Sequence, residues 1–165
     1  MIMTTLSPSD ARSQIVDIID DAVHHALGLK ESLEDERKAL EKQDMDAIHM
    51  SVENKSACVE ALRKLDQKRD ELCQSLGFAS GDEQMSRLVE WCDDGGVINN
   101  RWQRLMVIAA ESHALNMTNG AIIRVRQQQS ESSLSVLRGV TPGSDTYSRS
   151  GAEFGDYGRR SLAEA

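Results

Sequence analysis

The chain predicts an all-α fold: an elongated antiparallel helical hairpin or bundle with a long C-terminal helix, coiled-coil-like packing and a flexible tail. Three observations carry this expectation. Charged residues make up 28% of the chain and aromatics 4%, a composition of long solvated helices rather than of a sandwich or an α/β sheet. Apolar residues recur at alternating intervals of three and four, the period of helices that pack side by side. The stretch Val97–Arg138 has no proline and one glycine, Gly120, so nothing forbids a single helix of about 60 Å. A length of 165 residues suits one domain with a tail, divided here as a helical domain over 1–139 and a tail over 140–165.

The first helix is expected over 8–43. Ser7 can cap it, and Pro8 suits its first turn. Its stripe is Ile15, Ile19, Ala22, Ala26, Leu29, Leu33 and Leu40, interrupted by Glu36, while the acids opposite form a solvated face. Asp44 can cap a second helix over 45–76. Between Lys30 and Leu76 there is neither glycine nor proline, so one continuous helix is the alternative. A hairpin is preferred, because a lone rod would leave its apolar stripe wet. The second stripe is Ile48, Val52, Val59, Leu62, Leu65, Leu72 and Leu76, with Lys55 and Arg69 on or beside it. A turn near Asp44 brings Glu36 within about one helical turn of Lys55. Glu36, Lys55 and Asn116 are thus expected as polar members of apolar seams, and a Glu36–Lys55 pair would fix register more than add stability.

Gly77 suits a left-handed helix end, and residues 78–82 read as a loop. A short helix over 83–92 presents Leu88 and Trp91, and Asp93-Asp94-Gly95-Gly96 breaks it. The long helix over 97–138 follows, stopped by Gly139 with Pro142-Gly143 beyond it. Its inner stripe begins with Ile98, Trp102, Leu105 and Ala109, with Trp102 and Leu105 in the core. It turns polar and small at Ser112, Asn116, Asn119 and Gly120, then apolar again at Ile123, Leu134 and Leu137. Gly120, which costs about 1 kcal/mol against alanine inside a helix, points to close approach by another backbone. The half of this helix beyond the hairpin's reach is the expected docking surface for a partner protein. Its residues are Asn116, Asn119, Gly120, Ile123, Gln127, Leu134 and Leu137.

The tail is rich in glycine and serine and lacks periodicity, so it cannot bury enough apolar surface to offset its ordering entropy. It nevertheless holds Tyr147, Phe154 and Tyr157, half of the six aromatic residues, the side chains that commonly anchor short docking motifs.

Several function classes fall away. A net charge of −8 argues against a nucleic-acid partner. The longest apolar run is the six residues Leu105–Ala110, too short for a membrane span, and Met1–Asp10 does not read as a secretory signal. Three cysteines without paired spacing suit a reducing cytoplasm. His24, His25, His49 and His113 are scattered, and Cys58 and Cys73 lie about 22 Å apart along one helix. No metal site, cofactor site or catalytic constellation is expected, and the chain does not read as an enzyme.

Two segments resemble the FlgN-type flagellar export chaperones. Leu33-Glu34-Asp35-Glu36-Arg37-Lys38-Ala39-Leu40, then Asp44, Asn54-Lys55 and Leu65-Asp66-Gln67-Lys68-Arg69, are similar to the family's first half. Leu115-Asn116-Met117-Thr118-Asn119-Gly120-Ala121-Ile122-Ile123, followed by Leu134 and Leu137-Arg138-Gly139, look like its second-half signature. The resemblance implies a cytoplasmic chaperone of flagellar type III export. Such a chaperone binds the C-terminal helical segments of the hook-filament junction proteins FlgK and FlgL, prevents their premature self-association and delivers them to the export gate. It also implies docking on the gate component FlhA through an aromatic residue of the tail, for which Tyr147 is the most similar position and Phe154 and Tyr157 are the fallback anchors. The competing readings are a self-assembling coiled-coil scaffold, whose stripes would pair copies of the chain as a homodimer, and a metal-dependent or hydrolytic enzyme.

Overall fold

The computed structural model describes residues 6–139. It contains α1 (Pro8–Lys42), α2 (Met45–Ser75), α3 (Gln84–Cys92) and α4 (Val97–Leu137), each boundary within one residue of expectation. Among the described residues there is no strand. The chain divides into two units, Met1–Arg124 and Val125–Ala165. The last turns of α4 are the described part of the second, and the expected tail over 140–165 lies outside the described residues.

Local chemistry sets the helix ends. The Ser7 side chain accepts the Asp10 N–H at 3.2 Å, and the Asp44 side chain accepts the Ala47 N–H at 3.0 Å. Between them, Gln43 turns left-handed at φ 58°. The Asp44 N–H then returns to the Ala39 carbonyl at 3.1 Å and the Gln43 N–H to the Leu40 carbonyl at 3.3 Å. This is a Schellman closure, and it makes the hairpin rather than one continuous helix. α2 ends the same way, with Gly77 at φ 90° and the Phe78 N–H on the Cys73 carbonyl at 2.9 Å. The break before α4 is also its cap: the Asp93 carboxylate accepts the N–H groups of Ile98 and Asn99 at 2.9 and 3.0 Å.

α1 lies at the centre of the first unit and packs antiparallel against α2. The withdrawn positions of α2 include two seven-residue series, Ile48-Lys55-Leu62-Arg69 and Ser51-Cys58-Leu65-Leu72, with Cys73 fully buried beside them. Val52 and Val59, expected in this stripe, are 38% and 40% exposed, and Ser51 and Cys58 replace them. Small side chains suit this seam because the two backbones come close: a methyl group on Gly28 of α1 would stand 3.2 Å from the Cys58 sulfur.

The apolar core gathers Ile15, Ile19, Val23 and Ala26 of α1 with Cys73 of α2, Met85, Leu88 and Cys92 of α3, and Ile98 and Ile108 of α4. Burial pushes the Cys73 and Cys92 thiols up from their ordinary pKa, which keeps them protonated as small apolar fillers. Trp91 is 41% exposed and tilts against Phe78 at 5.8 Å instead of entering the core. Trp102 is half-buried at the core's edge, with the Arg69 guanidinium 5.6 Å from its ring. Gln84 ties the α2–α3 loop down. It accepts from Arg69 at 2.6 Å and donates to Asp70 at 2.8 Å and to the Phe78 carbonyl at 3.2 Å.

α4 runs parallel to α1. Asp20 pairs with Arg101 at 2.9 Å and Lys30 with Glu111 at 2.8 Å, both pairs 81 residues apart in sequence, so the two helices hold one register. Of the expected α4 stripe, Ile98, Trp102, Leu105, Ser112, Asn119 and Gly120 are withdrawn from solvent, whereas Ala109, Asn116 and Ile123 are exposed and their neighbours Ile108, Leu115 and Ile122 are withdrawn in their place.

A candidate partner-binding groove over the central helix

α1 is the shared neighbour of α2 and α4, which stand apart above it. Between them lies an open groove of about 680 Å³. Its floor is the apolar face of α1, with Ile19, Ala22, Ala26, Leu29 and Leu33. One wall is α2, through Lys55, Val59, Leu62 and Arg63; the other is α4, through Leu105, Met106, Ala109, His113 and Asn116. Floor residues from Ile18 to Leu33 give the groove about 22 Å along α1, room for roughly four turns of a partner helix. Arg69 and Trp102 stand at one end, and Lys55 and Asn116 at the other. The rim charges are matched locally, Arg63 by Glu60 at 3.4 Å and Arg69 by Asp66 at 2.8 Å. The groove therefore offers apolar surface with a neutralised edge, the arrangement that receives an amphipathic helix.

At its polar end the Glu36–Lys55 pair forms as expected, Lys55 Nζ to Glu36 Oε1 at 2.8 Å, with Glu36 only 2% exposed. The third member of this node is Asn119, not Asn116. Asn119 Nδ2 donates to the other Glu36 oxygen at 2.8 Å and to the Leu33 carbonyl at 2.9 Å.

The residues expected to dock a partner thus separate into groups. Asn116 is exposed and lines the groove. Gly120 and Ile123 continue the same flank of α4 by helical spacing, Ile123 at 36% exposed. Asn119 is turned inward and 1% exposed, its amide nitrogen donating to Leu33 and Glu36, so it presents nothing to a partner. Gly120 makes no close backbone contact, because an added methyl would meet only the Arg124 side chain at 3.6 Å. The glycine that does sit at a tight crossing is Gly28. In the second unit, Gln127 is exposed, and Leu134 and Leu137 are 50% and 83% exposed. Tyr147, Phe154 and Tyr157 lie outside the described residues.

The α1 stripe expected as core is core, with Ile19, Ala22, Ala26 and Leu33 at 1%, 7%, 3% and 1% exposed, and it also forms the bottom of the groove; Val59, expected in the seam, lies on the groove wall at 40% exposed. Among the described residues no cluster of histidine, cysteine and acidic groups could hold a metal ion, and no helix is long and apolar enough to cross a membrane.

No curated protein and no solved structure matches this chain. The family model described as FlgN protein matches residues 3–153 of the 165, a span that takes in all four helices and Tyr147. The chain belongs to the FlgN family of flagellar export chaperones.

Proposed function

We propose that this protein is a cytoplasmic chaperone that holds the C-terminal helical segments of FlgK and FlgL and brings them to the export-gate component FlhA. The observation that carries the reading is the open groove, with its aliphatic α1 floor between the walls of α2 and α4. A released junction subunit must hide an amphipathic helix that would otherwise associate with its own kind. A groove of this length and chemistry covers the apolar face of one such helix. Asn116, Gly120 and Ile123 then lie along the rim on the α4 side, and Leu134 and Leu137 form a separate apolar contact. Gate docking is assigned to Tyr147, with Phe154 and Tyr157 as further anchors.

Filling the groove tests this. Ala109→Trp should lower affinity for FlgK and FlgL C-terminal peptides by more than tenfold in calorimetric titration, with helicity unchanged by circular dichroism. Ile123→Asp should weaken binding in the same assay. Isotherms like those of the native chain for Ala109→Trp would remove the groove from the reading. A homodimer using the same apolar surfaces is the competing occupant. Sedimentation would identify it as a dimer that persists unchanged when the peptides are added.

A further inference from the structure

α4 is held on α1 by unlike means along its length. Near its start, Ile98 and Ile108 are in the apolar core, 0% and 6% exposed. Three turns further on, the buried residue that meets α1 is Asn119. Its Nδ2 bridges the Leu33 carbonyl and Glu36 Oε2, while Glu36 Oε1 accepts from Lys55 of α2. One buried carboxylate on the floor therefore ties both walls of the groove.

This node is not the most stabilising solution for a buried site. Asn119 Oδ1 is buried without a partner, and so is Ser112 Oγ two turns before it. The hydroxyls of Ser32, Thr118 and Ser133 instead close onto the carbonyl four residues earlier, at 2.8, 3.0 and 2.9 Å. An apolar residue at 119 would avoid the unmet acceptor, and buried polar clusters are often exchanged for apolar ones without loss. What an apolar residue lacks is direction. A side chain that only fills space allows α4 to slide or rock on α1, whereas an amide with two fixed acceptors sets both distance and axial register.

We propose that Asn119 is the positioning residue of the groove: by tying α4 to Leu33 and Glu36, it sets the gap between α2 and α4 in which one amphipathic partner helix lies. The inference rests on the groove reading above. Lys55, which lines the groove and holds α2 to the same carboxylate, gives the opposite wall the same reference point. A partner helix then meets two walls already at the right spacing, and preorganisation of this kind adds affinity without new contacts.

The test uses the full chain with Asn119→Leu, labelled with 5-fluorotryptophan so that Trp102 on the groove wall and exposed Trp91 report separately. The thermal midpoint should be kept or raised, the Trp102 resonance should broaden or split while that of Trp91 does not, and affinity for the FlgK C-terminal peptide should fall about tenfold. Ile98→Val, which loosens the core end of α4, should lower the midpoint and leave affinity within about twofold. Native affinity in Asn119→Leu, while Ala109→Trp still abolishes binding, overturns the positioning role and leaves the groove standing. Native binding by Ala109→Trp overturns the groove and this inference with it. Should Asn119→Leu not fold, Asn119→Ser, too short to reach Glu36, is read by the same criteria.

Discussion

Single residues in this chain owe their roles to what lies opposite them. Gly28 and Gly120 are both helical glycines, and each gives up about 1 kcal/mol of helix propensity against alanine. A methyl on Gly120 meets only the end of a flexible arginine at 3.6 Å, whereas one on Gly28 meets the Cys58 sulfur at 3.2 Å. Gly120→Ala should therefore raise stability by about 1 kcal/mol in denaturant melts. Gly28→Ala should be the less stable of the two alanine variants, a gap that Cys58→Ala narrows. Trp102 is judged the same way. Truncating a fully buried tryptophan costs about 3–5 kcal/mol, but Trp102 is half-buried on a groove wall, so Trp102→Ala should cost about 2 kcal/mol. A loss as large as that of a core residue would mean that the ring sits deeper than the groove geometry has it.

At the scale of elements, the helices are joined by polar devices as well as by apolar packing. The α2–α3 connection packs Leu76 and Phe78 against the core and is also held by Asp70, whose carboxylate accepts from Gln84 at 2.8 Å and from Ser80 at 2.7 Å. These hydrogen bonds, the one from Gln84 foremost, lower the Asp70 pKa below its ordinary value. A carboxylate depressed in the folded state stabilises above its unfolded pKa, and that contribution is lost as pH falls through the folded value. The chain should thus lose stability on acidification below about pH 4, and Asp70→Asn should flatten this acid limb in thermal melts. The hairpin turn is a second such device. Its left-handed residue is Gln43 rather than glycine, so Gln43→Gly should leave the hairpin intact.

For the molecule as a whole, the proposed function divides the work between the groove, which would hold the substrate, and Tyr147, Phe154 and Tyr157, which would hand it over. Tyr147→Ala should leave the melting curve and the peptide titrations unchanged and weaken association with the cytosolic domain of FlhA. If deletion of residues 140–165 leaves both that association and the export of FlgK and FlgL unchanged, the aromatic anchors have no such role.

What the sequence determined by itself was everything governed by neighbours along the chain. Ser7-Pro8, Asp44, Gly77 and the Asp93-to-Gly96 break set the helix ends, because caps and left-handed turns act over a few residues. The three-and-four spacing of apolar side chains identified the helices and their order. The Glu36–Lys55 pair was also legible, since a hairpin turn of known position fixes which residues of the two arms meet. Only the tertiary structure decided how far each helix is rotated about its axis. A rotation of one residue exchanges Val59 for Cys58 and Asn116 for Leu115, and the spacing pattern tolerates either choice. The rotation is set by what the partner helix offers: a glycine that lets Cys58 come close, and a buried carboxylate that draws in an amide. The groove belongs to the same class of facts. Its floor is the core stripe of α1 that the sequence shows; that the helices on either side stand apart above that stripe is decided by the tertiary structure alone.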